Sequence, residues 1–183
     1  GMVAHVPHDT REQHPQDFYE GLIRTSIASW VTEHYFLGQN LPGVSGDLKN
    51  ATNVACLMVG KFGMPVFKST PEERKYYAAI GEVLISEPEV SMFSPQATAL
   101  LDSVLRTNKR EFVAVILGMA AIDCYRFVRK NEQSFLRIVP KLLELDEFAG
   151  DQLTNLWNEL DTELITLKLM SPEDKSALPS SAF

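Results

Sequence analysis

The stretch FVAVILGMAAI, from Phe112 to Ile122, is the longest uninterrupted apolar run in the 183-residue chain. At 3.6 residues per turn, such a run puts apolar side chains on every side of a helix, which is typical of a helix enclosed by its neighbours. Its 11 residues are about half of what a membrane-spanning helix needs. The sequence therefore predicts a central helix over about residues 109–130, around which the other segments are arranged.

Apolar residues on both sides of this stretch recur every three or four positions, the spacing of a helix that buries one face. Alternation with a period of two residues is nowhere sustained, so no strand is predicted. We expect an all-α, single-domain bundle of six or seven helices over residues 15–170, with a flexible arm at 1–14 and a short turn and mobile tail at 171–183. The other predicted helices cover approximately residues 15–37, 47–61, 70–86, 95–107, 131–143 and 149–169.

Particular residues indicate where these helices begin, end and bury their faces. Thr70-Pro71-Glu72-Glu73 has the pattern of a capping box with proline in the first turn, and Gly38 is a plausible C-terminal cap. Pro140 is expected to kink or split its helix. The residues predicted to share a buried face are Ile23, Ile27, Trp30, His34 and Leu37; Tyr76, Ile80, Val83 and Leu84; and Leu100, Leu101, Val104 and Leu105. The apolar residues of the second predicted helix include Leu48, Cys56, Leu57 and Val59, and those of the sixth are Phe135, Leu136, Val139, Leu142 and Leu143.

Composition excludes several classes of protein. Hydrophobic residues make up 45% and charged residues 22% of the chain, which excludes a disordered or low-complexity sequence. A net charge of −7 provides no global basic field for nucleic acid or an anionic membrane. The N-terminus lacks a basic region followed by an apolar one, so we expect a cytoplasmic protein. Cys56 and Cys124 lie in apolar runs and are expected to be buried, reduced thiols.

Sequence motifs for catalysis are absent from these 183 residues. They contain no His-Glu-x-x-His, no Cys-x-x-Cys, no P-loop, no Gly-x-Ser-x-Gly and no Glu-x-x-His. His5, His8 and His14 lie in the predicted arm without a second rigid group of ligands. We therefore expect no metal site and no cofactor, and the motifs favour a protein that is not an enzyme.

Two polar residues lie where the apolar pattern predicts the core. His34, beside Trp30, is either a pocket histidine or a boundary residue tied to a backbone carbonyl. Asp123 ends the central apolar run and needs a partner, either Arg126 on the same helix or Arg24 across from it. These five residues are the candidate small-molecule site. The alternative is that Asp123 and Arg126 mark the point where the helix leaves the core.

The last predicted helix carries an apolar seam of five residues spaced 4, 3, 4 and 3 apart. This seam is either ordinary core or the contact of a homodimer. Charge divides nearby: residues 106–141 hold eight basic and three acidic side chains, net +5, whereas residues 142–167 hold seven acidic and no basic ones, net −7. The seam, the candidate dimer contact, consists of Leu153, Trp157, Leu160, Leu164 and Leu167.

Two functions remain open from the sequence. The first is a non-enzymatic helical protein-interaction module, homodimeric or bound to another protein, without nucleic-acid or membrane partners. The alternative is a small-molecule-binding bundle, sensory or enzymatic, with a pocket near His34 and Asp123. The absent motifs, the seam and the divided charge favour the first function.

Overall fold

The computed structural model describes residues 14–64, 69–86, 103–145, 150–151 and 154–155, and within them the chain is all α, as predicted. Five α-helices and one 3-10 helix have both ends within these residues, which contain no strand. In chain order they are α1 (Gln16–Leu37), the 3-10 helix (Pro42–Val44), α2 (Ser45–Gly60), α3 (Pro71–Leu84), α4 (Lys109–Lys130) and α5 (Glu132–Leu145).

Helix α4 is the centre of the bundle and contacts α1, α2 and α3. Residues 113–118 and 120–122 are buried, whereas Phe112 is exposed and Met119 half-buried. The predicted central helix is therefore confirmed, with the same bounds. A helix that is apolar on all sides removes its side chains from water only when neighbouring helices enclose it.

Helix α1 ends as predicted, at Gly38 in the left-handed conformation (φ 65°) with its N–H donated to the His34 carbonyl. The predicted buried face is wrong in part. The fully buried line is Ile23, Ile27 and Val31, spaced four apart, whereas Leu37 is 58% exposed. These three residues, spaced four apart, form the ridge with which α1 packs against its neighbours. Trp30 and His34 lie beside this ridge and are only half-buried.

Helix α2 begins two residues earlier than predicted, because the 3-10 turn Pro42–Val44 runs directly into it. Its buried side chains are small or polar as well as apolar: Ala51, Thr52, Ala55, Cys56 and Met58. The larger apolar residues Leu48, Leu57 and Val59 are half-buried. Small residues let α2 lie close to its neighbours, which hydrophobic periodicity alone does not reveal.

Helix α3 starts with the predicted capping box: Thr70 accepts from the Glu73 N–H (3.2 Å) and Glu73 accepts from the Thr70 N–H (2.8 Å). Its predicted face is wrong at two positions, because Tyr76 is 41% and Val83 76% exposed. The buried face instead includes Gly81, whose missing Cβ leaves room for the Ala114 backbone of α4.

The sequence predicts that Pro140 kinks or splits its helix, and α5 runs through Pro140 without a split. Pro140 removes the hydrogen bond to the Leu136 carbonyl, but both residues are exposed, so water can satisfy that carbonyl. Phe135 is half-buried against the rings of Phe36 and Phe127, 6.1 Å away in each case. Three other apolar residues that the sequence assigns to this helix, Leu136, Val139 and Leu143, are exposed.

Several predictions lie outside the described residues. They are the arm before residue 14, the helix start at Pro95 with Leu100 and Leu101, the side chain of Leu142, the seam from Leu153 to Leu167 and the tail after 170. Val104 and Leu105, at the end of the fourth predicted helix, are buried as expected. None of the helices in the described ranges is both long and apolar enough to cross a bilayer.

Candidate functional site

The predicted partnership of Asp123 with Arg24 is present between α4 and α1. Arg24 Nε donates to Asp123 Oδ2 at 3.0 Å, and Arg24 Nη2 donates to Glu20 Oε2 at 3.3 Å. Over a third of the Arg24 and Asp123 side chains is exposed, so this pair orients the two helices more than it stabilises them, at about 0–1 kcal/mol. Two carboxylates share one guanidinium here, and Arg126 is not among the partners of Asp123 in these hydrogen bonds.

A small cleft lies beside this ion pair, between α1 and α4. Its volume is about 20 Å³, which holds one water molecule. A drug-sized or metabolite-sized ligand needs roughly 300 Å³ or more. The residues that line the cleft are Glu20, Ile23, Arg24, Ile116, Met119 and Ala120.

His34 and Trp30 form a second polar group at the C-terminal end of α1. Their rings are stacked with centroids 5.5 Å apart and planes within 3° of parallel. The Asn40 amide donates to the Trp30 carbonyl at 2.6 Å, which directs the Asn40 Oδ1 to His34 Nδ1 at 3.2 Å. Because that oxygen can only accept, Nδ1 carries the proton in this contact. These two contacts hold the loop after α1 against the helix, so His34 has a structural role in this arrangement.

The two groups lie apart rather than around one cavity. Arg24 and His34 are ten residues apart in α1, which is about 15 Å along the helix axis. Arg126 Nε is buried, has no hydrogen-bond partner among the described residues and lies one turn beyond Asp123 in α4. Of the five candidate residues, the structure therefore joins Arg24 with Asp123 and Trp30 with His34.

Sequence reasoning missed three polar residues that hold these elements together. Glu20 precedes Arg24 by four positions, a spacing that the sequence does show. Tyr35 donates to Glu132 at 3.1 Å and so links α1 to α5, and burial raises the pKa of Tyr35 with help from that carboxylate. Asn40 follows the glycine cap at a position where turn residues are common. The sequence shows the spacing of Glu20 and the turn position of Asn40, but it does not show the partners of Tyr35 and Asn40.

The two cysteines are free and buried, as predicted. Burial raises the pKa of each thiol to about 12, and at Cys124 the nearby Asp123 adds to the effect. The Cys124 thiol also donates to the Arg24 carbonyl at 3.3 Å. A thiol that stays protonated is a poor nucleophile and a poor metal ligand, so neither cysteine has the character of a catalytic residue.

We expect both thiols to resist Ellman's reagent at pH 8 in the folded chain and to react on unfolding in urea. The folded pKa of about 12 exceeds the reference value of 9.0, so the folded state holds these protons more tightly. This contribution to stability is complete below pH 9 and is lost as the pH rises from 9 towards 12. Urea titrations at pH 8 and pH 10.5 measure that loss. Rapid modification of the native chain at pH 8 would contradict the expectation.

Comparison with known proteins adds a distant resemblance. No family model and no solved structure matches the chain. It is 28% identical over 176 residues to the ATP-dependent zinc metalloprotease FtsH of Rickettsia prowazekii, covering 89% of this chain and 24% of that protein. FtsH of Pelobacter propionicus is 33% identical over 64 residues, 35% of this chain and 10% of that protein. The chain thus spans about a quarter of the length of the Rickettsia relative.

Proposed function

We propose that this chain is a non-enzymatic helical module that acts through contacts with protein chains, and that its first partner is a second copy of itself. The observation that carries the proposal is an apolar stripe on α5, formed by Leu136, Val139 and Leu143. These side chains are 48%, 49% and 77% exposed, in the most amphipathic of the described helices. Exposed apolar residues grouped on one helix face mark a contact surface.

The polar groups give less support to the small-molecule alternative. The cleft beside Arg24 and Asp123 has room for one water, and His34 holds Asn40 in a contact that stabilises a loop. No group of three or more metal-binding side chains is present among the described residues. These observations favour protein contact over ligand chemistry.

The resemblance to zinc metalloproteases fits this proposal if only a helical part is shared. The relatives are named for ATP and zinc, and such proteins use motifs like the P-loop and His-Glu-x-x-His. Neither motif occurs in these 183 residues. We therefore propose that the chain shares a helical region with those proteins and supplies neither zinc nor ATP chemistry itself.

The length of the seam supports a second copy as partner. The stripe on α5 runs over eight residues, about 10 Å of helix, whereas the seam from Leu153 to Leu167 covers fifteen residues of the sequence. The stripe can thus match only half of the seam, and Leu164 and Leu167 remain for another surface. The acidic stretch 142–167 of one copy and the basic stretch 106–141 of the other attract each other in a twofold arrangement.

Replacing Leu164 and Leu167 together with aspartate is expected to convert a dimer into a monomer without loss of helicity. Buried unpaired charge is costly, so the dimer dissociation constant should rise about 100-fold or more. Sedimentation equilibrium of the full chain at micromolar concentration measures association, and circular dichroism measures helicity. The matched control is Val83→Asp, an exposed apolar position on α3, which should leave the dimer intact.

Two results would contradict this proposal. One is a wild-type chain that sediments as a monomer throughout the micromolar range. The other is a chain that retains one equivalent of Zn²⁺ after dialysis, which would favour a metal-dependent activity.

A further inference from the structure

Helix α3 carries exposed apolar residues on the side that faces away from α4. Tyr76 and Val83 are 41% and 76% exposed, and Ala79 between them is exposed as well. Gly81, which lies against the Ala114 backbone of α4, is about 200° from Ala79 around the helix. The contact of α3 with α4 therefore leaves these three residues, the α3 stripe, open on the opposite side of the helix.

We infer that the α3 stripe is a self-complementary contact, which pairs antiparallel with the α3 stripe of a second copy about a twofold axis beside Ala79. This inference goes beyond the proposed function, because it assigns a surface that includes neither α5 nor Leu164 and Leu167. A chain with both contacts joins dimers into larger assemblies.

The spacing of the α3 stripe suits a twofold pair. In an antiparallel pair of identical helices, facing residues lie equally far on either side of the axis. An axis beside Ala79 therefore sets Tyr76 of one copy opposite Val83 of the other. The small Ala79 side chains meet at the axis and let the two backbones approach closely, while the large Tyr76 ring packs on the smaller Val83.

Charge beside the α3 stripe selects the antiparallel orientation. Lys75 and Glu82 are exposed and seven residues apart, so they lie on the same side of α3, at opposite ends of the stripe. An antiparallel pair sets Lys75 of one copy opposite Glu82 of the other, whereas a parallel pair brings like charges together. Arg110 holds the Glu82 carboxylate in place with bonds of 2.9 and 2.8 Å, and a carboxylate has about four acceptor sites, so Lys75 can bind it as well.

The size of the α3 stripe predicts a weak contact. It runs over eight residues, about 10 Å of helix. Contacts smaller than a standard interface are weak and transient, so we expect a dissociation constant on the order of 100 μM. In the low micromolar range this contact is largely dissociated, and association through Leu164 and Leu167 is measured without it.

A cysteine at the twofold axis tests the contact in the full-length chain at about 200 μM, where much of it is formed. Ala79→Cys places the thiols of two copies opposite each other, within the reach of a disulfide. Glu72→Cys is the matched control, since it is exposed on the same helix but its two copies lie about 20 Å apart in this arrangement. The native Cys56 and Cys124 are buried and do not compete for oxidation. Non-reducing electrophoresis after mild oxidation measures the disulfide-linked dimer.

The expected yield of that dimer is at least 10-fold higher for Ala79→Cys than for Glu72→Cys. Equal yields from the two variants, or no linked dimer from Ala79→Cys, overturn the inference. Adding Leu164→Asp and Leu167→Asp should leave the yield unchanged, so this contact and the proposed dimer can fail separately.

Two further changes to the Ala79→Cys chain test the register and the orientation. Val83→Asp sets a charge against Tyr76 of the other copy and should lower the yield at least 10-fold. Lys75→Glu should lower it as well, and adding Glu82→Lys to that variant should restore it, because the opposite charges then face each other again. A yield that is indifferent to Val83→Asp overturns the contact, and a charge exchange that restores nothing overturns the antiparallel orientation.

Discussion

Gly118→Ala is expected to lower the free energy of unfolding by about 3 kcal/mol. A Cβ at Gly118 would overlap the backbone carbonyl of Tyr77 in α3, and a Cβ at Gly81 would overlap that of Ala114 in α4. The two helices thus approach backbone to backbone through reciprocal glycines, and neither backbone can yield as a flexible side chain can. Gly81→Ala should have a similar effect. Urea denaturation followed by circular dichroism measures both.

Gly21→Ala is the matched control for these variants. Gly21 also lies inside a helix, α1, but a Cβ there has no neighbour within 4 Å. Alanine should therefore stabilise the chain by about 0.5–1 kcal/mol, because glycine loses more backbone entropy in a helix. If Gly118→Ala and Gly21→Ala shifted stability in the same direction, the close contact of α3 and α4 would be wrong.

Leu117→Ala is expected to cost about 2–5 kcal/mol of the free energy of unfolding. Leu117 is 0% exposed in the middle of α4, which contacts α1, α2 and α3. Truncation to alanine therefore leaves a cavity, because these helices cannot all move inward to fill it. The measurement is the urea midpoint at constant slope, which separates a change in stability from a change in the unfolded state.

Leu37→Ala makes the same chemical change at the end of α1, where the side chain is 58% exposed. It should shift stability by no more than about 0.5 kcal/mol. This control also tests the observed buried face of α1, since a large loss of stability would show that the Leu37 side chain is buried after all. A small loss at Leu117 would contradict the central position of α4.

The candidate site was predictable to the extent that local spacing determines it. The Arg24–Asp123 pair was one of two partnerships open to Asp123, and its choice over Arg126 depends on how α1 crosses α4. The pairing of His34 with Asn40 was not predictable, because it depends on the path of the loop after Gly38. A sequence can indicate that a buried polar group needs a partner, but a partner from another element depends on packing.

The faces of α1 and α3 show the same limit. Periodicity placed Tyr76 and Val83 in the core, whereas the glycine contact turns α3 so that both are exposed. In α1 the contact follows Ile23, Ile27 and Val31 and leaves Leu37 exposed. A hydrophobic pattern gives the approximate direction of a buried face, and the close approach of two backbones decides its final angle.

By itself, the sequence determined the helical class, the central place of residues 109–130, the capping box at Thr70 and the end of α1 at Gly38. These features depend on interactions within a few residues, or on an apolar run too long to remain in water. Only the tertiary structure decided which side of each helix is buried, which arginine meets Asp123, and that Leu136, Val139 and Leu143 lie outside the described core. Those outcomes depend on which surfaces of distant segments fit together, and the free energy of that fit belongs to pairs of elements rather than to any one of them.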